Sequence, residues 1–143
     1  MSVYLDTSAM IRARKLNLQP EGITRTHTLA EFYSTLTGTG VLTMVEGQEK
    51  KEKISPKRAA AAARETFSKI TFVDLTTADV FESLERAVAE NVQGRNIHDW
   101  LHCAAAEKAK CAAIVTLNFS DFSAMTNLPL VNPAKQFSAG RVA

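Results

Sequence analysis

Short apolar segments alternate with helical patterns along this chain, and that alternation limits the folds it can adopt more than any other feature. The short segments are rich in β-branched and aromatic residues, which is typical of strands. The predicted strands are residues 3–5, 22–23, 70–73, 113–116 and 130–131. Strands that alternate with helices predict an α/β fold whose parallel sheet is covered by helices on both faces.

The predicted helices have recognisable ends. Thr28 can cap a helix that ends at Gly38, and Ser55 followed by Pro56 is a typical helix start. Asn96 can cap a later helix that carries apolar residues along one side. These ends divide the chain into the alternating elements of the predicted fold.

Two segments near the middle of the chain are open to more than one interpretation. The apolar segment Val41–Val45 can be a strand or a helical turn. Residues 49–53 (EKKEK) carry charges of both signs, which indicates a solvated loop or an exposed helix face.

Length and composition are those of an ordinary globular domain. The chain has 143 residues, of which 45% are hydrophobic and 22% charged, so we expect a single domain over residues 1–143. The formal net charge of +2 permits a nucleic-acid partner without requiring one. Because we see neither a signal-peptide pattern nor an apolar run of membrane-spanning length, we expect a cytoplasmic location and no membrane partner.

The two cysteines are expected to be structural. Cys103 and Cys111 lie on one predicted helix, where a separation of about 12 Å is too long for a disulfide. Both are therefore predicted to be buried, reduced and apolar in character.

Four acidic residues are predicted to meet at one edge of the sheet. Asp6 follows the first strand, and Asp121 comes shortly after the strand at residues 113–116. Glu31 and Asp99 lie on helices that can pack across the same edge. Because open α/β sheets bind ligands beyond the carboxyl ends of their strands, these four side chains are expected to converge.

Converging carboxylates repel one another and raise each other's pKa values unless a cation is bound. Mg²⁺ and Mn²⁺ prefer oxygen ligands, and either ion can activate water and neutralise charge during phosphoryl displacement. Each acid also has a structural explanation: Asp6 and Asp121 can cap helices, Asp99 suits a helix N-terminus, and Glu31 can face solvent. Their joint placement favours the metal site.

Four segments, in order, resemble the successive motifs of PIN-domain ribonucleases. They are residues 3–8 (VYLDTS), 29–32 (LAEF), 97–102 (IHDWLH) and 114–122 (IVTLNFSDF). The resemblance is closest to the VapC-like toxins of type II toxin–antitoxin pairs. It implies a three-layer α/β/α fold, Mg²⁺- or Mn²⁺-dependent endonuclease activity on RNA, a homodimer, and an antitoxin protein that blocks the active-site groove.

The same resemblance implies that Asp6, Glu31 and Asp99 are metal-binding, catalytic acids. The chain departs from the family pattern at the fourth position, where many relatives carry an acid and this chain has Asn118. Asn118 can offer a carbonyl oxygen, or Asp121 can supply the charge. We favour Asp121.

Two hydroxyl residues stand beside the acids in these motifs. Ser8 and Thr116 can position a water molecule near the metal. They can equally make ordinary turn hydrogen bonds, as hydroxyl side chains often do.

Two other functions compete with the nuclease. His98 and His102 flank Asp99 at helical spacing and nearly match a zinc-hydrolase signature, although aspartate replaces the usual glutamate. The second alternative is a non-catalytic α/β binding module whose acids are caps and solvated residues.

Basic and apolar residues supply candidate contact surfaces. If RNA is the substrate, some of the basic residues must neutralise its phosphates; the candidates are Arg12, Arg14, Lys15, Lys50, Lys51, Lys53, Lys57, Arg58 and Arg95. For the homodimer, candidate contacts are Phe32, Tyr33, Leu36 and the segment Val41–Val45, although these residues can also be core.

Overall fold

The computed structural model describes residues 2–142 of the chain, with side chains described for residues 2–138. Its centre is a parallel sheet of five strands in the order β5-β2-β1-β6-β7. These strands are β1 (Val3–Leu5), β2 (Gly22–Thr24), β5 (Ile70–Phe72), β6 (Ala113–Val115) and β7 (Leu130–Val131). A separate antiparallel pair consists of β3 (Val41–Val45) and β4 (Gln48–Glu52).

Helices cover both faces of the five-stranded sheet. They are α1 (Thr7–Lys15), α2 (His27–Ser34), α3 (Pro56–Thr66), α4 (Thr77–Ala89), α5 (Asn96–Lys108), α6 (Phe119–Ser123) and α7 (Pro133–Val142). One apolar core joins Leu5 and Val115 to α1, α2, α3 and α7, and the other joins Tyr4 and Ile114 to α5 and α6. Neighbouring strand residues thus face opposite layers, as the pleat requires. The predicted α/β/α fold is confirmed.

The strand register determines which residues meet at the carboxyl edge of the sheet. Leu5 pairs with Val115 in the parallel ladder between β1 and β6. The backbone N–H of Asp6 then donates to the carbonyl of Val115 at 3.2 Å. Asp6 and Thr116 therefore leave their strands side by side.

The hairpin of β3 and β4 settles one open prediction and corrects another. The segment Val41–Val45 is a strand, and the predicted loop or helix face at residues 49–53 was wrong because it lies largely within β4. Glu46 and Gly47 both have positive φ angles, 52° and 79°. That two-residue turn favours a tight hairpin, and the glycine was the signal for it in the sequence.

Three predicted helix ends were also wrong. Helix α2 begins at His27, and the Thr28 hydroxyl instead lies 2.8 Å from the hydroxyl of Thr24. Helix α5 includes Asn96, so that residue is not its cap. After α2 the helix continues as a π-helical segment, Thr35–Thr39, past Gly38. It ends at Gly40, where φ is 84° and a Cβ would lie 2.7 Å from a backbone oxygen, so glycine is required there.

Burial revises the predicted contact surfaces. Phe32 and Leu36 are fully buried in the core, so they cannot contact a second copy of the chain, whereas Tyr33 is 39% exposed. Both cysteines are free and buried, as predicted, and burial raises the pKa of the Cys103 thiol to about 12. No helix in the described part of the chain is long and apolar enough to span a membrane.

Candidate active site

Asp6 begins the candidate site, because it ends β1 and caps α1. Its side chain is 2% exposed, and every oxygen has a donor. Oδ1 accepts hydrogen bonds from the backbone N–H of Ala9 at 2.9 Å and from the hydroxyl of Ser8 at 2.7 Å. Oδ2 accepts one from the Thr116 hydroxyl at 2.6 Å. Ser8 and Thr116 thus hold Asp6 directly.

The electrostatic state of Asp6 reflects opposing effects. Burial raises the pKa of this carboxyl, whereas the hydrogen bonds from Thr116, Ser8 and Ala9 and the charge of His102 work against the rise. The net direction is upward. Keeping Asp6 ionised in this position therefore costs folding free energy, which a nearby positive charge would offset.

Glu31, the second predicted acid, lies on α2. Its Oε1 accepts a hydrogen bond from the Thr7 hydroxyl at 3.1 Å and lies 2.8 Å from Nε2 of His102. Burial alone would raise the pKa of Glu31, but His102, Thr7 and the nearby charge of Arg25 outweigh it and lower the pKa to about 2. Glu31 is therefore a firmly held anion at neutral pH.

Asp99 lies in the first turn of α5 and is half-buried. Burial raises its pKa, the charges of Asp6, Asp121 and Glu31 raise it further, and His102 opposes them. Among the described residues, none donates a hydrogen bond to its carboxylate. The charges of the three other predicted acids therefore act on Asp99. Unlike Asp6 and Glu31, Asp99 accepts no hydrogen bond from the described residues to offset them.

The fourth position of the motif contains two candidates, and both are exposed. Asn118 precedes α6, and its backbone N–H donates to the Thr116 hydroxyl at 3.0 Å, while its side chain makes no capping bond. Asp121 lies in the first turn of α6, and its charge raises the pKa of Asp99. Asp121 thus carries a charge that acts on Asp99, whereas the side chain of Asn118 is neutral.

The donor set fits a hard divalent cation in chemical type. The four predicted acids offer carboxylate oxygens, and the pKa of Asp99 is raised first by burial and then by the charges of the other three, an unfavourable state that a bound cation would relieve. Within the described residues, no three histidine, cysteine or acidic side chains are grouped closely enough to hold a metal ion as they stand. The donor type suits such an ion, whereas the spacing of these side chains does not form a metal site as it stands.

The histidines of the zinc alternative are separated by their surroundings. His102 is 2% exposed, and its two ring nitrogens lie within hydrogen-bond distance of Tyr4 and Glu31. His98 is exposed, and its ring stacks on that of His27 with centroids 5.9 Å apart. Because both nitrogens of His102 have partners already, this arrangement does not favour a shared zinc ion.

Sequence reasoning missed several residues that shape the site. Tyr4 and Thr7 contact His102 and Glu31, and both occur within the first motif next to Asp6. Arg25 follows β2, is 8% exposed, and donates from Nη2 to the carbonyl of His98 at 3.4 Å. A charged residue directly after a strand was the available signal for Arg25, because that position leads to the same sheet edge.

A groove extends from the site along α1 towards the hairpin. It has a volume of about 210 Å³, and Ser8 connects it to Asp6. The basic residues in its lining are Arg12, Arg14 and Lys15. A second groove of about 560 Å³ continues past Arg14 and Lys15 to Arg58. Positive charge therefore leads away from the acidic site along the surface.

Comparisons with known proteins agree with this architecture. A family model described as the PIN domain matches residues 3–127. Among solved structures, the chain is similar to one titled as VapBC-1 from nontypeable Haemophilus influenzae, with a TM-score of 0.58 and 15% sequence identity. That match covers 94% of this chain and 99% of the other, and it bears on the fold alone. A search of curated proteins found no significant match.

Proposed function

Because this chain belongs to the PIN-domain family, whose members are generally nucleases, we propose that it is a metal-dependent endoribonuclease. The observation that carries the proposal is the shared electrostatic environment of four acids from four separate elements. Burial raises the pKa of Asp99 most, and the charges of Asp6, Asp121 and Glu31 raise it further. Such an arrangement is costly for folding, and it is typical of sites built to bind a cation.

In this proposal Asp6, Glu31, Asp99 and Asp121 hold Mg²⁺ or Mn²⁺. The ion, when bound, activates water and neutralises charge at the phosphodiester. Asp6 supplies a carboxylate fixed by Ser8, Ala9 and Thr116. Asp99 supplies a second carboxylate, which accepts no hydrogen bond from the described residues. The products expected from this chemistry are a 5′-phosphate and a 3′-hydroxyl.

The basic groove supports RNA as the substrate class. Arg12, Arg14 and Lys15 line the groove that begins at Ser8, so a strand leaving the acidic site would pass over cations. Phosphate contacts of this kind make binding weaken as salt increases. Unpaired RNA fits best, because its bases can splay out of a stack and its backbone can follow a narrow groove.

We further propose that the enzyme is the toxin of a toxin–antitoxin pair. The order of its motifs resembles VapC-like toxins, and the solved structure of similar fold is titled as VapBC-1. A protein antitoxin that covers the acidic site would then be its partner. Co-expression with the product of a small adjacent reading frame, followed by co-purification and loss of nuclease activity, tests this pairing.

A homodimer is the proposed assembly, and exposed apolar residues supply its contact surface. Leu42 and Met44 on the hairpin are 48% and 65% exposed, and Phe81 and Val88 on α4 are 64% and 81% exposed. Exposed apolar clusters on soluble domains commonly mark interaction sites. Sedimentation velocity should give a dimer that Val88→Glu or Met44→Glu converts to a monomer.

Cleavage of a labelled structured RNA tests the proposed activity. We expect cleavage with Mg²⁺ or Mn²⁺, none with EDTA, and none with Asp6→Asn purified in parallel. End analysis of the products should give 5′-phosphates. Activity that persists in Asp6→Asn would contradict the proposal, and activity that requires Zn²⁺ and disappears in His98→Ala would favour the zinc hydrolase instead.

A further inference from the structure

Two hydrogen-bond contacts connect three side chains in series: Tyr4 to His102, and His102 to Glu31. The Tyr4 hydroxyl lies 2.7 Å from Nδ1 of His102, and Nε2 of His102 lies 2.8 Å from Oε1 of Glu31. Tyr4 is fully buried and His102 is 2% exposed, so the contact between these two residues is shielded from water. The three residues come from β1, α5 and α2, so these contacts tie the two helix layers to the central strand.

The direction of the hydrogen bond to Glu31 follows from the chemistry of its acceptor. A carboxylate oxygen accepts hydrogen bonds and does not donate them. Nε2 of His102 therefore carries the hydrogen and donates. Nδ1 of His102 then faces the Tyr4 hydroxyl at 2.7 Å, and this contact fixes the orientation of the ring.

The two oxygens of Glu31 are in different situations. Oε1 accepts from both His102 and the Thr7 hydroxyl. Among the described residues, no side chain donates to Oε2. One oxygen is therefore engaged by the protein, while the other remains available to a ligand.

We propose that His102, fixed in place by Tyr4, is a positioning residue that holds Oε1 of Glu31 and so presents Oε2 to the divalent cation. This inference rests on the proposed function, because it assumes that Glu31 binds the ion. Residues that orient metal ligands commonly change metal affinity by about 10- to 100-fold when they are replaced. In this role His102 contacts Glu31 and not the metal or the substrate, so it is a positioning residue and not a catalytic one.

A pair of substitutions separates positioning from simple packing. In His102→Gln the amide nitrogen can still reach Glu31, whereas the shorter side chain of His102→Asn can meet Tyr4 but not Glu31. Tyr4→Phe removes only the hydroxyl that orients the ring. Trp100→Phe is the matched control, because it deletes another buried hydrogen bond of α5, the one from Nε1 to the carbonyl of Ser83 at 2.8 Å.

The measurement is Mn²⁺ affinity, followed by the electron paramagnetic resonance signal of the free ion during titration, together with thermal unfolding of each metal-free variant. We expect His102→Asn to weaken Mn²⁺ binding by about 10- to 100-fold. Tyr4→Phe should weaken it less, His102→Gln should restore most of it, and Trp100→Phe should leave it unchanged while lowering the melting temperature.

Two results would overturn this inference, and they differ in what else they affect. If the wild type binds Mn²⁺ but His102→Asn and Tyr4→Phe bind it equally well, the positioning role is wrong and the proposed function stands. If the wild type binds no Mn²⁺, the proposed function and the positioning role fall together. Mn²⁺ affinities that simply follow the melting temperatures of all four variants would also overturn the positioning role.

Discussion

Helices α4 and α5 have the same length, and each carries an aspartate in its first turn. The pKa of one aspartate is lowered, whereas the pKa of the other is raised. Each helix has 13 residues, with Asp79 in the first turn of α4 and Asp99 in that of α5. Asp79 completes a capping box with Thr76 and lies 2.6 Å from Nζ of Lys108, and its pKa is lowered to about 2. Asp99 has no donor among the described residues and a raised pKa.

The difference separates a carboxylate that has its own hydrogen-bond donors from one that has none among the described residues. The side chain of Asp79 is supplied with the partners that a carboxylate needs at a helix N-terminus. Asp99 also lies in a first helical turn, but burial raises its pKa and the charges of Asp6, Asp121 and Glu31 raise it further. A protein tolerates that repulsion where the negative charge has a use.

The largest expected effect is on catalysis. Asp99→Asn should reduce RNA cleavage by about 10³-fold, which corresponds to about 4 kcal/mol of transition-state stabilisation. Asp79→Asn should leave cleavage unchanged, because Asp79 contacts only Thr76 and Lys108. Single-turnover cleavage rates with Mg²⁺ measure both. Equal losses in the two variants would mean that Asp99 has no special role.

Asp6 has two roles in this account, because it caps α1 and also belongs to the proposed site. Asp6→Ala should lower the free energy of unfolding by about 1–3 kcal/mol, because it removes a cap and leaves buried donors unpaired. Chemical denaturation of the metal-free protein measures this. A loss of activity with unchanged stability would indicate that Ser8, Ala9 and Thr116 do not hold the carboxylate as described.

Asp99→Asn should have the opposite effect on stability. A raised carboxyl pKa means that the ionised form opposes folding at neutral pH, so removing the charge should stabilise the metal-free protein. The gain should be on the order of 1 kcal/mol, or a rise in melting temperature of about 2–4 °C. Differential scanning calorimetry in EDTA measures it. A lower melting temperature would contradict the proposed repulsion.

The smallest expected effect is on how the stability contributed by Asp79 changes with pH. A lowered pKa contributes stability above the ordinary value of 3.8, and that contribution is lost as pH falls towards about 2. The melting temperature of Asp79→Asn should therefore lie slightly below that of the wild type at neutral pH and converge with it near pH 2. A constant difference across this range would show that Lys108 and Thr76 do not stabilise the ionised form.

The sequence predicted the parallel sheet because that feature follows from local patterns. Strand segments such as Val3–Leu5 are marked by their own residues, and parallel pairing brings their carboxyl ends to one edge. The contacts of His102 were not predictable in this way. They join residues from β1, α2 and α5 that are 71 and 98 positions apart, so they depend on how both helix layers pack.

Helix ends were predicted less well, since competing partners decide them. Thr28 has the side chain of a cap, but its hydroxyl faces Thr24 in the buried interior. Asn96 also suits a cap, yet α5 begins one residue earlier than that role requires. In both cases tertiary packing outweighs a local preference that is worth only about 1 kcal/mol.

The most direct test of the central claim is the Mn²⁺-dependent melting temperature of the wild type, Asp79→Asn and Asp99→Asn. Saturating binding at about 100 times the dissociation constant adds about 2.7 kcal/mol of stability. We expect a saturable rise of several degrees that is equal in the wild type and Asp79→Asn and largely absent in Asp99→Asn. An equal rise in all three proteins, or no rise in the wild type, would contradict the claim that these acids form one cation site.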